Sequence, residues 1–159
     1  MKAISKPVQV PGDAVNNANV EYKAHAQDLG WLPQVRDGQT AGTKGFGKRL
    51  EALMIDLSKV PGLRIGACVH IQNVGWVHLG EVRPDIILGS VGKSQRLEMV
   101  ALYIIENTTG KKLMYQVHIA GLGDSSVREV TSVIPLTVAH GLGTTGQARA
   151  VEAFRMWLE

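Results

Sequence analysis

The sequence predicts an all-β domain with pseudo-threefold symmetry. Three observations point there. A short phrase, His25-Ala-Gln27-Asp28-Leu-Gly30-Trp31, returns 45 positions later as His70-Ile-Gln72-Asn73-Val-Gly75-Trp76. A second phrase occurs three times, as Gly42-Thr43-Lys44-Gly45, Gly89-Ser90-Val91-Gly92 and Gly143-Thr144-Thr145-Gly146. Each time a glutamate follows the second glycine by six residues: Glu51, Glu98 and Glu152. The third observation is period-two patterning in the segments between the phrases, which marks half-buried strands. Self-similarity at a fixed period is the signature of a repeat architecture and outranks any local reading.

The repeats fall at about 20–60, 64–106 and 112–159. The front of the third is worn. His118 is present, but Ala120 stands in the place of the amide and Asp124 in the place of the tryptophan. The segment between its two phrases, from Val127 to His140, is the longest of the three. Residues 1–19 carry two prolines and small polar residues and read as an arm or linker. The remainder, 20–159, is one domain, because repeats of this size cannot each bury a core and must share one.

Taken in order, 20–26 (VEYKAHA) and 113–119 (LMYQVHI) alternate as half-buried strands. The runs 53–57 and 100–104 are apolar and of strand length. Arg36-Asp37-Gly38 is a hairpin-turn signal. Residues 148–159 have helical propensity, but their place in the repeat predicts a strand. Each repeat then reads as a long strand, two short strands around a turn, and a long strand. Three such units close around an axis in a β-trefoil or a β-prism. The trefoil is favoured on segment lengths, with the prism as the alternative.

Composition narrows the function. A formal charge of +3 with scattered Lys and Arg argues against nucleic acid, whose phosphates need clustered cations. The one cysteine, Cys68, allows no disulfide within a monomer and reads as a small buried residue. No apolar stretch is long enough to span a bilayer, so no membrane insertion is expected. The first residues show a lysine but no apolar signal region. The expectation is release without a signal, or origin in a longer secreted protein.

The order Tyr-x-x-His-x-Gln-[Asp/Asn]-x-Gly-Trp, Asp-Gly, Ala-Gly-Thr-x-Gly and Arg-Leu-Glu-Ala resembles the clostridial hydrophobic repeat with a characteristic tryptophan, the ChW repeat. The first repeat matches nearly throughout. The second matches at His70, Gln72, Asn73, Gly75, Trp76, Gly89, Arg96, Leu97 and Glu98, but 81–88 replaces the Asp-Gly turn. The third keeps Tyr115, His118, Gly123, Gly143-Thr144, Gly146 and Glu152, and lacks the Trp, the amide and the Arg-Leu pair. The resemblance implies a secreted or surface protein of a Gram-positive bacterium, or a phage lysin. Its implied work is attachment to cell-wall polymer, polysaccharide or another surface protein.

The ligand-binding candidates are Trp31, Gln27, Asp28 and His25, with Trp76, Gln72, Asn73 and His70. An indole face stacks on a sugar ring, and amides and carboxylates read hydroxyls. Two readings of each tryptophan stay open, a core side chain or a groove wall. Replacement of the third by Asp124 favours the groove. His118 outlasts its tryptophan, which favours a structural role for the histidines. Glu51, Glu98 and Glu152 also recur and are read as structural, either capping the Gly-Thr-x-Gly turn or pairing with an arginine. No carboxylate pair flanks a common point, no His/Cys cluster has metal spacing, and no nucleophile elbow occurs. No catalysis, metal or cofactor is expected. The leading expectation is a carbohydrate-binding module for cell-wall polysaccharide or peptidoglycan, on the bacterial surface or outside the cell. The alternatives are a protein-binding adhesion module, which would self-associate into a homo-oligomer, and a structural spacer.

Overall fold

The computed structural model describes residues 19–135 and 140–159. Residues 1–18 of the expected arm (1–19) and part of the long third loop (136–139) lie outside the described residues. The described chain is all-β, with no α-helix.

The first repeat holds β1 (Glu21–Ala26), β2 (Gly30–Trp31), β3 (Val35–Arg36), β4 (Ala41–Gly42) and β5 (Leu50–Asp56). The second holds β6 (Leu63–Ile71), β7 (Gly75–Glu81), β8 (Leu88–Gly89) and β9 (Leu97–Asn107). The third holds β10 (Leu113–Ile119), β11 (Gly123–Asp124), β12 (Arg128–Glu129), β13 (Leu142–Gly143) and β14 (Val151–Leu158). The alternating segments at 20–26 and 113–119 are β1 and β10, and the apolar runs at 53–57 and 100–104 fall in β5 and β9. The 148–159 segment is a strand from Val151, because its alternate residues Val151, Ala153 and Phe154, Met156 are buried in the shared core.

Each repeat builds its own antiparallel sheet on its two long strands, β1–β5, β6–β9 and β10–β14. Each sheet is then completed by a strand from another repeat. β8 pairs with β5, β13 with β9, and β4 with β14. The exchange is cyclic, so the last strand of the chain is held by the first repeat. Three separate sheets result, with no closed barrel. The pseudo-threefold, all-β architecture is present.

Two local expectations are corrected. Asp37 and Gly38 do form a tight turn with positive φ, 48° and 88°. The strands on its two sides, however, do not pair with each other. β3 pairs with β1 and β4 with β14. Gly38 N–H donates to Met156 O at 2.8 Å, so the turn carries the chain from one sheet to the next. In the second repeat the expected pair of short strands is the single longer strand β7, which pairs with β6 from Gly75 to Glu81. The repeat has no Leu-Pro-Gln break at this place, and the chain stays in the ladder.

One hydrophobic cluster draws on all three repeats. Within it Phe154 meets Tyr22 edge-on at 5.4 Å and Tyr115 tilted at 6.3 Å. The buried phenols are satisfied: Tyr22 donates to Gln39 O and Tyr115 to Val100 O at 3.2 Å. Burial pushes the Tyr115 hydroxyl up to about 12. Cys68 is a buried free thiol, as expected, and burial raises its pKa.

The first glycine of each Gly-[Ser/Thr]-x-Gly phrase is fixed by this exchange. Gly89 has φ 125°, and a Cβ there would stand 2.2 Å from Glu51 O. Gly143 and Gly42 meet Glu98 O and Glu152 O in the same way. Only glycine lets the donated strand approach so closely. The recurring glycine and the recurring glutamate are thus partners across a repeat boundary.

Candidate functional site

The site begins with an irregularity in the strands. Between His25 and Ala26 the ladder slips, because Leu50 and Ala52 face them and Glu51 is an extra residue. The same bulge occurs at Glu98, opposite His70 and Ile71, and at Glu152, opposite His118 and Ile119. A bulge re-aims a side chain that strict alternation would send to the other face. Here it turns each glutamate toward the histidine of its own repeat.

The histidine is paired directly with the tryptophan position: His25 with Trp31, His70 with Trp76, His118 with Asp124. The two indoles meet their imidazoles edge to face, at 5.2 Å and 83°, and at 5.3 Å and 84°. Behind each imidazole lies the bulge carboxylate. His70 Nδ1 is 2.8 Å from Glu98 Oε1, a hydrogen bond that requires the proton on Nδ1. His25 Nδ1 is 3.2 Å from Glu51 Oε1 without the alignment of a hydrogen bond.

Each carboxylate has a second partner two residues back. Arg49 Nε donates to Glu51 Oε2 at 2.9 Å, and Arg96 Nε to Glu98 Oε2 at 2.7 Å. Glu51 and Glu98 are only 6% and 5% exposed, so these pairings offset a real desolvation cost. The chain Trp–His–Glu–Arg is therefore a positioned stack, present twice. The expected Glu–Arg pairing is realised. The expected capping of the glycine turn is made instead by the glutamate's backbone: Ser90 N–H donates to Glu51 O and Thr144 N–H to Glu98 O, both at 3.0 Å.

The other candidates lie close by and are partly engaged. Arg96 N–H donates to Gln72 Oε1 at 3.0 Å, and Arg49 N–H to Gln27 Oε1 at 3.5 Å. These bonds close the bulge beside a backbone pair common to all three repeats, and in the third, where Ala120 has no amide, Arg149 Nη1 donates to Ala120 O at 2.9 Å. Asp28 and Asn73 sit in the turn at φ 65° and 64°. Gly121, at φ 77°, holds the same place in the third repeat. Short polar residues and glycine are the ones that adopt this conformation. Asp28 is exposed and ion-paired with Lys48 at 3.1 Å.

Trp31 and Trp76 are half-buried, on the outer side of their sheets and outside the core cluster. The two surroundings differ. Lys23 Nζ lies 5.1 Å from the centre of the Trp31 ring. Its counterpart beside Trp76 is Cys68, whose Sγ is 3.0 Å from His78 Nδ1. In the third repeat Asp124 replaces the indole. It takes His118 Nδ1 at 2.8 Å and Lys44 Nζ at 3.0 Å. The bond from His118, and then that from Lys44, hold the Asp124 carboxyl below the usual range. Glu152 is left 3.9 Å from His118.

Sequence reasoning missed the bulge, the Lys23 contact and the part played by the neighbouring repeat. The Arg-x-Glu spacing in two repeats, and its loss together with the tryptophan in the third, was the signal available for the stack. Among the described residues no group of three or more His, Cys, Asp and Glu is placed to hold a metal ion, and no helix is long and apolar enough to cross a membrane.

The family model described as ChW, Clostridial hydrophobic W, matches residues 25–59. Its span covers His25, Gln27, Asp28, Trp31, the first Gly-Thr-x-Gly phrase and the Arg49–Glu51 pair. No curated protein and no solved structure matches the chain.

Proposed function

We infer from the chain's ChW repeat, a kind found in clostridial surface and cell-wall-associated proteins, that it is a non-catalytic carbohydrate-binding module. Its ligand is the polysaccharide or peptidoglycan of a Gram-positive cell wall. It works outside the cell or on the surface, for example as the targeting domain of a lysin. One observation carries the reading. Trp31 and Trp76 are held by the His–Glu–Arg stack yet excluded from the core. A preorganised, half-open indole loses little on binding a sugar. His25 and His70 orient it. Gln27, Asp28, Gln72 and Asn73 rim the site and bind hydroxyls with the polar groups their turns leave over. Each site is shallow and weak, and two on one repeating polymer gain by effective concentration. The test is competition. Wild-type protein should sediment with purified sacculi and be released by soluble wall glycan. Sedimentation that soluble glycan fails to compete, or that salt alone abolishes, would overturn the reading.

A second reading, protein adhesion with self-association, has its own support. Leu29, Val74 and Leu122 occupy equivalent turn tips and are 49%, 56% and 56% exposed. They persist in the worn repeat, where the tryptophan does not. Exposed apolar residues in equivalent places suit a protein partner. Self-association of the wild type in sedimentation velocity that a Leu29→Ser/Val74→Ser/Leu122→Ser variant loses, with soluble glycan without effect on it, would favour it.

A further inference from the structure

The outer face of the third sheet differs from the other two in more than its missing tryptophan. Gln116 and Arg155 are directly paired there, and Thr40 of the first repeat continues the row ahead of β4. In the first sheet the places of Arg155 and Thr40 hold Met54 and Ile87, and in the second Ala101 and Gly141. Both places lack a polar side chain in those sheets and carry one here. Thr40, Lys44, Gln116, Asp124 and Arg155 bound one shallow depression of ≈ 160 Å³. Ala153 beneath them is buried, so a ligand rests on this rim and enters no channel.

The rim has donors to spare. Arg155 is half-buried, and its Nε donates to Gln116 Oε1 at 2.8 Å. Gln116 Nε2 in turn donates to Ser125 O at 2.7 Å. The guanidinium carbon lies 4.5 Å from the centre of the Trp157 ring, whose N–H donates to Glu159 at 2.9 Å. These contacts fix the guanidinium and leave its two Nη groups. Among the described residues no carboxylate pairs with Arg155, and the exposed Thr40 hydroxyl has no hydrogen-bond partner. The opposing charge at the rim is Asp124. It is answered by Lys44 Nζ at 3.0 Å and His118 Nδ1 at 2.8 Å, so the charge of Arg155 remains in surplus.

We propose that this rim is an oxyanion site: Arg155 takes a phosphodiester or carboxylate group of a wall polymer on its two Nη groups, with Thr40 and Lys44 donating from the side. A planar guanidinium matches two oxygens of such a group at once. Stacking on an indole and bonding to an amide order it beforehand, which lowers what binding costs. The site is open to water, so its affinity is modest and falls with salt. The third repeat has thus exchanged an aromatic surface for a cationic one. The proposal goes beyond the carbohydrate reading, since it concerns another sheet and another ligand chemistry and uses neither Trp31 nor Trp76.

The experiment is an NMR titration of the full chain at low salt with two probes in turn, a short glycerol phosphate oligomer and the carboxylate-bearing disaccharide of peptidoglycan. The readout is the Trp157 indole N–H, with those of Trp31 and Trp76 beside it. At least one probe should move Trp157 saturably, and about 0.5 M sodium chloride should reverse the shift. A response to the oligomer assigns the oxyanion to a phosphodiester, and a response to the disaccharide alone assigns it to a carboxylate. Arg155→Gln should weaken the response by about tenfold, the scale of one charge-assisted contact. Arg155→Lys, which keeps the charge and loses the fork, should weaken it less. Because Arg155 also packs on Trp157, Thr40→Ala is the second variant. Its hydroxyl holds nothing within the protein, so the weakening of about threefold expected there has no structural source. Lys93→Gln removes an equal charge from an exposed loop of the first sheet and should change nothing. A Trp157 signal that neither probe moves, or a response that Lys93→Gln weakens as much as Arg155→Gln, would overturn the proposal. Trp31 and Trp76 moving with the disaccharide while Trp157 stays still under both probes would keep the carbohydrate reading and overturn this one.

Discussion

Glu98 shows how one residue serves both fold and site. Its carboxylate fixes the imidazole of His70 and takes the guanidinium of Arg96, while its carbonyl accepts from Thr144 of the next repeat. Glu98→Ala leaves Arg96 facing a buried gap. Chemical denaturation should show a loss of about 2–3 kcal/mol, below the ~3–5 kcal/mol of a fully buried pair because Arg96 is partly solvated. The same change should release the Trp76 indole, read as a loss of sacculus affinity. Gly89 provides a contrast. Gly89→Ala forces a Cβ against Glu51 O at a positive φ, and should cost on the order of 3 kcal/mol or more. Gly45→Ala, with open space around it, pays only for its φ of 83°, about 1 kcal/mol. Equal melting of the two variants would show that the donated strand does not pack as described.

At the scale of elements, the long strands were legible because their two faces differ: Tyr22, Ala24 and Ala26 point inward while Lys23 and His25 do not. The glycine-glutamate spacing was legible too, but not its meaning. Its partners lie in different repeats, and one sequence period carries no record of which copy pairs with which. The bulge was hidden for a related reason. Glu51 reads as one more residue in an alternating strand until the partner strand is known. The Asp37-Gly38 turn was found, and its flanks misread, because turn chemistry fixes a local reversal and not which sheet the chain then joins. Of the site, the Trp, His and amide positions stood out by repetition. Lys23 did not, because it does not repeat.

At the scale of the whole molecule, the cyclic exchange of β4, β8 and β13 makes stability a property of the closed ring. Tyr115 reports on it. Its phenol is neutral in the core and its pKa is raised from 10.0 to about 12 by burial. Below pH ~10 both states hold the proton and stability is unaffected. Between pH ~10 and ~12 the unfolded chain releases it first, so stability should fall by about 2–3 kcal/mol across that window. Tyr115→Phe should flatten that slope in alkaline denaturation, and an unchanged slope would place the titration elsewhere. The central claim is that ring closure sets two tryptophans outside the core, poised for glycan. Sedimentation with purified Gram-positive sacculi, wild type beside Trp31→Ala/Trp76→Ala with circular dichroism on both, tests it most directly. The account predicts a double variant that keeps its β spectrum and no longer sediments. A variant that unfolds would make the indoles core. A folded variant that still sediments would place binding elsewhere, and either result would contradict it.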